Sequence, residues 1–454
     1  MDQAQTTSTR PRRGDQLTLN VDTLAFGGAG VARHEGYVVF VQGAIPGDTV
    51  RVEVGKAKRA YAEARVLELL APSRDRIEPL AAHPGAPWQV IPYAKQLEIK
   101  AAQVDDALRR IGRLEGYQLE PIVPAVQEWR YRNKLEYSFG RDRQRRLVCG
   151  FHAPGRWEEI IEVSDCLLAS ERSNRARAEV VAWCRAQGLE PYDRRTKEGF
   201  LRNLVVREGR RTGELQVRLV TAPGRLDRES LAEAAQLADG LLWTRLESVA
   251  ETTAGGATEL LAGVERFAEQ LGGLQVSISG EAFFQTNTEM AERLYGLAIE
   301  YAELRGFERL YDLYCGIGTI GLLMAPRVAS LWGLELVEDA IADAIANARR
   351  NEIDNAHFFA GDVRLALPEL VAKAGRPDVL VVDPPRAGLS QKVVRRIIEA
   401  APKRIVYVSC NPTTLAPNAA QLVEAGYQLS KVRPVDMFPQ TPHIECVAQL
   451  ERRA

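Results

Sequence analysis

From about residue 306 onward the chain alternates short apolar strands with amphipathic helices, and this alternation constrains the fold more than any other feature. "RLYDLY", "ASLWGLEL", "AHFFAGD", "DVLVVD" and "RIVYVSC" read as strands. "CGIGTIGLLMA", "VEDAIADAIANARRN" and "QKVVRRIIEAA" between them read as helices. Strands joined by crossover helices run parallel, so the succession predicts a doubly wound, Rossmann-like α/β sheet with its ligand site at the carboxyl ends of the strands. The start of the chain obeys a different period. "QLTLNVDTLAFGGAGVARHEGYVVFVQGAIPGDTVRVEV" alternates apolar and polar residues between Gly-Gly, His-Glu-Gly and Pro-Gly-Asp turns, which suits about five short strands in a small OB-like β-barrel. The expected organisation is a barrel over 14–72, a mixed α+β central domain over 73–270 and the α/β domain over 271–454. An amphipathic helix over 93–114, with Leu97, Ala101, Val104 and Leu108 on one face, is expected to pack on the α/β domain.

Charge and cysteine usage narrow the function classes. The net charge of −1 gives no bulk attraction for a polyanion, so any RNA contact has to rest on local patches. Two stretches qualify. Lys56, Lys58, Arg59 and Tyr61 lie on the barrel, where a solvated strand face is the simpler reading. "YRNKLEYSFGRDRQRR" is the most basic run of the chain and interleaves arginine with tyrosine, so an RNA-facing surface stands level with an exposed turn. Six cysteines at 149, 166, 184, 315, 410 and 446 form no Cys-x-x-Cys pair, which argues against a disulfide framework or a zinc knuckle. The opening "MDQAQTTSTRPRRGD" lacks the apolar segment of a signal peptide, and no apolar run reaches membrane-spanning length. A cytoplasmic monomer with a short disordered start and no membrane contact is expected.

"DLYCGIGTIG" joins a strand to a helix, and its glycines let a ligand approach the backbone. A packing turn is the common alternative for such a string. Glu335 ends the next strand, where a carboxylate accepts from both hydroxyls of a ribose, and Asp362 follows the third strand within reach of an adenine amine. The spacing departs from the full dinucleotide pattern, and Asp312 opens the loop. Carboxylates in place of a phosphate cradle favour the cationic cofactor S-adenosylmethionine.

"VVDPPRAGL" ends the following strand, and its paired prolines hold Asp383 and Arg386 rigidly at the sheet mouth. This string resembles the Asn/Asp-Pro-Pro-aromatic loop of amino-methyltransferases, with Arg386 in place of the aromatic. One strand along, Cys410 leaves a buried run immediately before an Asn-Pro turn. A structural cysteine belongs inside the strand; one at its exit is placed for nucleophilic chemistry. Carbon 5 of uracil is a poor nucleophile, and a thiolate added at carbon 6 activates it. The methylated adduct then carries a proton that a base must remove. Glu445, with His443 two residues before it, is the candidate base, against the simpler reading of an exposed strand edge. In "FFQTNTEMAERL", Asn287 reads as a helix N-cap, which leaves Gln285 unexplained.

Taken in order, "FFQTN", "DLYCGIGTIGL", "DPPRAGL", "VSCNP" and "HIE" resemble the S-adenosylmethionine-dependent RNA 5-methyluridine methyltransferases, and the barrel resembles their TRAM domain. The resemblance spans nearly the whole chain. It implies Cys410 as nucleophile and Glu445 as base. It places Gln285, Tyr314, Thr319, Glu335, Asp362 and Asp383 at the cofactor. It also implies RNA as partner, with the TRAM-like barrel favouring 23S ribosomal RNA over transfer RNA. An amino-methyltransferase, which needs no Cys410, and a non-catalytic RNA-binding factor remain as other readings. Many members carry an iron–sulfur cluster on four cysteines, three of them near a "CQWQ" string. Here the matching segment is "GAPWQ", Ala86 stands at the cysteine position, and Cys166 in "SDC" is left alone. No cluster and no other metal is therefore expected, and the loop is expected to be held by apolar packing through Trp88.

Overall fold

The computed structural model of the chain describes residues 10–250, 252–280 and 282–453. Most of the start expected to be disordered falls on residues 1–9, outside the described residues. Five strands form a closed barrel: β1 (Gln16–Leu24), β2 (Gly30–His34), β3 (Tyr37–Gln42), β4 (Thr49–Ala57) and β5 (Tyr61–Ala71), in the order β1-β2-β3-β5-β4. Its core follows the period-2 pattern: Leu19 and Val21, Val39 and Val41, Val50, Val52 and Val54, and Ala62 and Ala64 all point inward. Lys56, Lys58 and Arg59 are exposed on its outside.

Helix α1 (Tyr93–Asp106) runs into a single π turn over residues 107–111. The face it buries is shifted from the expected one: Val104 and Leu108 are buried as expected, but Gln96 and Lys100 lie inside where Leu97 and Ala101 were expected. Gln96, Lys100 and Val104 are buried, while Leu97 and Ala101 are only half-buried. Polar residues occupy the interior face because partners wait for them. Gln96 and Gln440 exchange hydrogen bonds at 2.8 and 2.9 Å, and Lys100 Nζ lies 2.6 Å from Asp436 Oδ1. The helix packs on the α/β domain, and Val104, Ala107 and Leu108 join that domain's core. The short strand β6 (Gln118–Leu119) then adds to the edge of its sheet.

The middle of the chain forms a seven-stranded sheet from β7 (Lys134–Arg141), β8 (Leu147–Ala153), β9 (Arg156–Glu162), β10 (Leu201–Glu208), β11 (Leu215–Thr221), β12 (Gly240–Arg245) and β13 (Ala257–Gly263). Helix α2 (Glu171–Ala186) packs on β10 and β11, and the shorter α3 (Arg228–Ala234) packs beside α2. The tyrosines of the basic run are not on an RNA-facing surface. Tyr131 and Tyr137 are fully buried in the core under α2, Tyr137 because alternate residues of β7 face it. The exposed basic residues of the run are Arg141 at the end of β7 and Arg143, Arg145 and Arg146 in the turn that follows. A hairpin of β14 (Phe267–Leu271) and β15 (Leu274–Ile278) leads on into the α/β domain.

That domain begins with α4 (Thr288–Ala302) and continues through β16 (Arg309–Leu313), α5 (Thr319–Met324), β17 (Ser330–Glu335), α6 (Glu338–Arg350) and β18 (Ala356–Ala360). It goes on through α7 (Val363–Ala374), β19 (Val379–Val382), α8 (Gln391–Ala400), β20 (Arg404–Ser409), α9 (Pro412–Glu424), β21 (Tyr427–Val435) and β22 (Glu445–Arg452). Helix α7 was not expected, because Pro368 inside its run masks the pattern. The sheet order is β18-β17-β16-β19-β20-β22-β21-β6. The first five strands are parallel, whereas β22 returns antiparallel between β20 and β21. Alternate residues of one strand serve opposite cores: Leu380 and Val382 one, Val379 and Val381 the other. Both faces are covered, so these strands read as continuous apolar runs. The order reverses between β16 and β19, the switch point where such sheets open a crevice.

Candidate active site

The carboxyl edge of the sheet collects the chemistry. After β16 the chain turns through Tyr314, Gly316 and Gly318, all with positive φ (61°, 54° and 84°). A side chain at Gly318 would also meet Phe358 at 3.1 Å and Ala344 at 3.2 Å, so the turn requires glycine there. A Cβ at Gly316 would meet nothing within 4 Å, and the backbone there borders open space. Glu335 ends β17, and its carboxylate accepts from the backbone N–H of Gly316 at 3.3 Å, Leu336 at 2.7 Å and Val337 at 3.0 Å. Asp362 caps α7, accepting from the Arg364 N–H and Nε at 2.9 Å, and its salt bridge to Arg364 holds it below the usual carboxylate range. Thr319 is buried in the first turn of α5.

Deeper in the crevice two carboxylates lie close together. Asp312 is buried; Oδ2 accepts from Gly321 N–H at 2.9 Å, and Oδ1 has no partner. Burial pushes its carboxyl up to about 8, helped by the neighbouring charges of Asp383 and Glu335. Asp383, half-buried at the end of β19, is pushed up to about 7 by burial. An open glycine loop, an orphaned buried carboxylate oxygen and three further carboxylates fit a ligand carrying positive charge. They do not fit a pyrophosphate.

Beside this cradle stand the two residues expected to react. β20 and β22 pair antiparallel with Ser409 opposite Cys446, so the next step places Cys410 opposite Glu445. Glu445 is buried at the first position of β22, an interior strand and not an exposed edge. Burial, and then Asp383, raises its carboxyl well above the ordinary range, against the pull of Arg386. Cys410 is half-buried, whereas the other five cysteines are buried. Burial, then Glu445 and Asp383, push its thiol up to about 11, and Arg386 again opposes the rise. Asn411 caps α9 by accepting from Thr413 N–H at 3.0 Å, and its Nδ2 donates to the Arg386 carbonyl at 3.1 Å. The Asp-Pro-Pro-Arg loop is thereby tied to the cysteine turn.

His443 lies in the loop just before β22, and not on the strand with Glu445. Its Nδ1 is 2.7 Å from Arg386 Nη2. Arginine only donates, so Nδ1 accepts and its lone pair is not free for base chemistry. Burial, with Arg386, Arg132 and Lys100 nearby, lowers its pKa to about 4.

Sequence reasoning missed three contributors. Asn133 reaches from the start of the central sheet to the Gln285 carbonyl at 2.9 Å and to Thr288 Oγ1 at 2.8 Å, fixing buried Gln285 from another domain. Tyr295, buried on α4, sits among Asp383, Thr319, Gln285 and Glu445. Phe283 is 72% exposed beside the site, and only the doubled Phe-Phe hinted at it. Asn287 is the N-cap of α4, as its position implied, and its Nδ2 also donates to the Met437 carbonyl at 2.9 Å.

With that geometry in place, comparison with known proteins is informative. The sequence model of the tRNA (uracil-5-)-methyltransferase family matches residues 273–453, and that of the TRAM domain matches residues 10–67. An uncharacterised RNA methyltransferase of Halalkalibacterium halodurans is 37% identical over 97% of this chain and 97% of its own. One from Bacteroides thetaiotaomicron is 37% identical over 95% of this chain and 100% of its own. The chain belongs to the RNA (uracil-5-)-methyltransferase family. The solved Pyrococcus abyssi tRNA (uracil-54, C5)-methyltransferase in complex with S-adenosyl-L-homocysteine superposes with a TM-score of 0.78 at 28% identity. The match covers 96% of this chain and 100% of that one. The protein is thus an S-adenosylmethionine-dependent RNA methyltransferase with an N-terminal TRAM barrel, and the carboxylate-lined cradle fits that cationic cofactor.

A four-thiolate cluster does not fit the residues near Ala86. Ala86 is fully buried, and the lone Cys166 Sγ lies 3.2 Å from His83 Nε2. Among the described residues no group of three or more His, Cys, Asp or Glu is placed to hold a metal ion. Trp88, 3% exposed, packs with Leu24, Ile45 and Ile91, joining the barrel to α1 by apolar contact. Among the described residues no helix is long and apolar enough to cross a membrane.

Proposed function

We propose that the protein methylates carbon 5 of a uridine in 23S ribosomal RNA, in the cytoplasm and as a monomer, through a covalent bond between Cys410 and the base. The observation that carries this reading is the pairing that sets Cys410 opposite Glu445 beside the carboxylate cradle. S-adenosylmethionine, when bound, supplies an electrophilic methyl group. Gln285, Tyr314, Thr319, Glu335, Asp362 and Asp383 are assigned to holding it, and the side chains of this chain do the rest.

Cys410 attacks as the thiolate. Its Sγ bonds to carbon 6 of the uracil while the 5,6 π electrons move toward the O4 carbonyl, giving an enolate with nucleophilic carbon 5. Once carbon 5 carries its methyl group, Glu445 takes the carbon 5 proton. The 5,6 double bond re-forms and the Sγ–carbon 6 bond breaks, returning a free thiolate. Burial disfavours the ionised form in which each group reacts, and Arg386 favours that form in both. The target base has to leave its stack to reach a half-buried thiol, and exposed Phe283 offers a face for stacking.

Ribosomal RNA is favoured by the TRAM barrel, whose exposed Lys56, Lys58 and Arg59 suit a phosphate backbone. A second reading, transfer RNA, is favoured by the Pyrococcus abyssi structure, whose protein acts on uracil 54 of tRNA. Mapping 5-methyluridine in ribosomal and transfer RNA from cells with and without this protein separates the two. Loss of a single 23S site supports the proposal, and loss of a tRNA site replaces it.

A further inference from the structure

Arg386 is fixed at both ends. Its carbonyl accepts from Asn411 Nδ2 at 3.1 Å, and its Nη2 donates to His443 Nδ1 at 2.7 Å. His443 is itself wedged in place. Its ring meets Phe438 edge-on with centroids 6.0 Å apart, and Thr441 Oγ1 accepts from its backbone N–H at 3.3 Å. The loop that carries it is clamped to α1 by Gln96–Gln440 and Lys100–Asp436, and to α4 by Asn287. Among the described residues His443 is the hydrogen-bond partner that holds the exposed Arg386 side chain.

We propose that His443 is a positioning residue, a hydrogen-bond acceptor that holds the Arg386 guanidinium over Cys410 and Glu445 so that both can ionise for reaction. This rests on the reading of Cys410 as nucleophile and adds to it a residue that touches neither base nor cofactor. The chemistry of the two side chains supports the role. Arginine carries no acceptor, so the imidazole must present a lone pair at Nδ1 and keep its proton at Nε2. Burial, and then the cations Arg386, Arg132 and Lys100, disfavour the charged form of the ring. A protonated His443 would repel the guanidinium it holds. Around Cys410 the charged neighbours are Glu445 from β22, Asp383 from β19 and Arg386 from the loop, with buried Cys446 behind. Arg386 is the cation among them that favours the thiolate. Its placement therefore raises the share of thiolate against burial, Glu445 and Asp383.

The test uses the accessibility of Cys410 alone among buried cysteines. Full-length protein without RNA is alkylated with iodoacetamide across a range of pH, and modification of Cys410 is followed by mass spectrometry. In His443→Ala the inflection for Cys410 should move up by about one pH unit, which is about tenfold slower alkylation at neutral pH. His443→Asn, whose amide oxygen replaces Nδ1 as acceptor, should stay near wild type. Arg386→Ala should shift as far as His443→Ala, and the double variant no further, because the two act as one unit. Single-turnover methylation of RNA by His443→Ala should fall by about the same factor, with RNA affinity within about twofold of wild type. His443→Leu carries the same test if His443→Ala does not fold. A His443→Ala or His443→Leu profile superimposed on wild type overturns the proposal, as does a double variant whose shift is the sum of the two. If Cys410→Ala still methylates RNA, the covalent reading fails. The alkylation profiles still decide the role of His443.

Discussion

Replacing Lys100 by methionine should destabilise the protein more than any surface charge change. Both partners of the Lys100–Asp436 pair are 0% exposed, and Asp436 Oδ2 already lacks a partner. Lys100 Nζ also donates to the Phe438 carbonyl at 3.1 Å and lies 5.5 Å from the Trp88 ring centroid. Removing the cation leaves a buried carboxylate uncompensated, which costs roughly 3–5 kcal/mol. For a cooperative unit of about 200 residues each kcal/mol lowers Tm by roughly 2–4 °C, so Lys100→Met should melt roughly ten degrees below wild type or lower. Activity should fall with it, since Asp436 opens the loop that carries His443 to Glu445. Lys95→Met is the control. Its pair with Glu98 is exposed at 40% and 66%, and such a solvated pair contributes little to stability. Lys100→Met with Asp436→Leu should recover most of the lost stability, because the desolvation cost leaves with the charges. Thermal unfolding of the four proteins by circular dichroism decides it. A Lys100→Met protein that melts within about a degree of wild type would refute the reasoning, as would a double variant no more stable than Lys100→Met.

Glu335→Ala should weaken S-adenosylmethionine binding by roughly 1.5–3 kcal/mol for each charge-assisted hydrogen bond lost, and calorimetry showing unchanged affinity would remove Glu335 from the site. Asp383, whose carboxyl is pushed up to about 7, favours the folded cofactor-free protein below the ordinary carboxylate pKa and loses that contribution as pH rises from about 4 through about 7. The Tm of Asp383→Asn relative to wild type should therefore climb across that window, and a pH-independent difference would contradict the assignment. Protein purified without oxygen should be colourless and free of stoichiometric iron, because the Ala86 loop lacks thiolates, and metal analysis checks this.

Both sheet systems were legible because each obeys a simple period. The barrel alternates in two, and the α/β strands are apolar throughout because both faces are covered. Several motif residues stand where a strand leaves the sheet, as Tyr314 does after β16, Glu335 at the end of β17, Asp383 after β19 and Cys410 after β20. What stayed hidden depends on contacts between residues far apart in sequence. The buried face of α1 carries Gln96 and Lys100, and no periodicity predicts that, since their partners lie 344 and 336 residues away. The basic run misled for a related reason: Tyr131 and Tyr137 belong to the core beneath α2, and residue type alone does not tell a packed tyrosine from a stacking one. His443 carried a chemical signal but not its role, which required knowing that Arg386 occupies its lone pair.

The covalent step is the centre of the account, and RNA carrying 5-fluorouridine at the target position tests it most directly. Fluorine cannot leave carbon 5 as a proton would, so Glu445 has nothing to remove and the Sγ–carbon 6 bond persists. Wild-type protein with S-adenosylmethionine should form an adduct with this RNA that survives a denaturing gel. Cys410→Ala should form none and should transfer no methyl group to ordinary RNA. Glu445→Gln should stall as a methylated adduct even on RNA carrying ordinary uridine. A Cys410→Ala protein that still gives the 5-fluorouridine adduct, or that keeps near-normal turnover, would contradict the account.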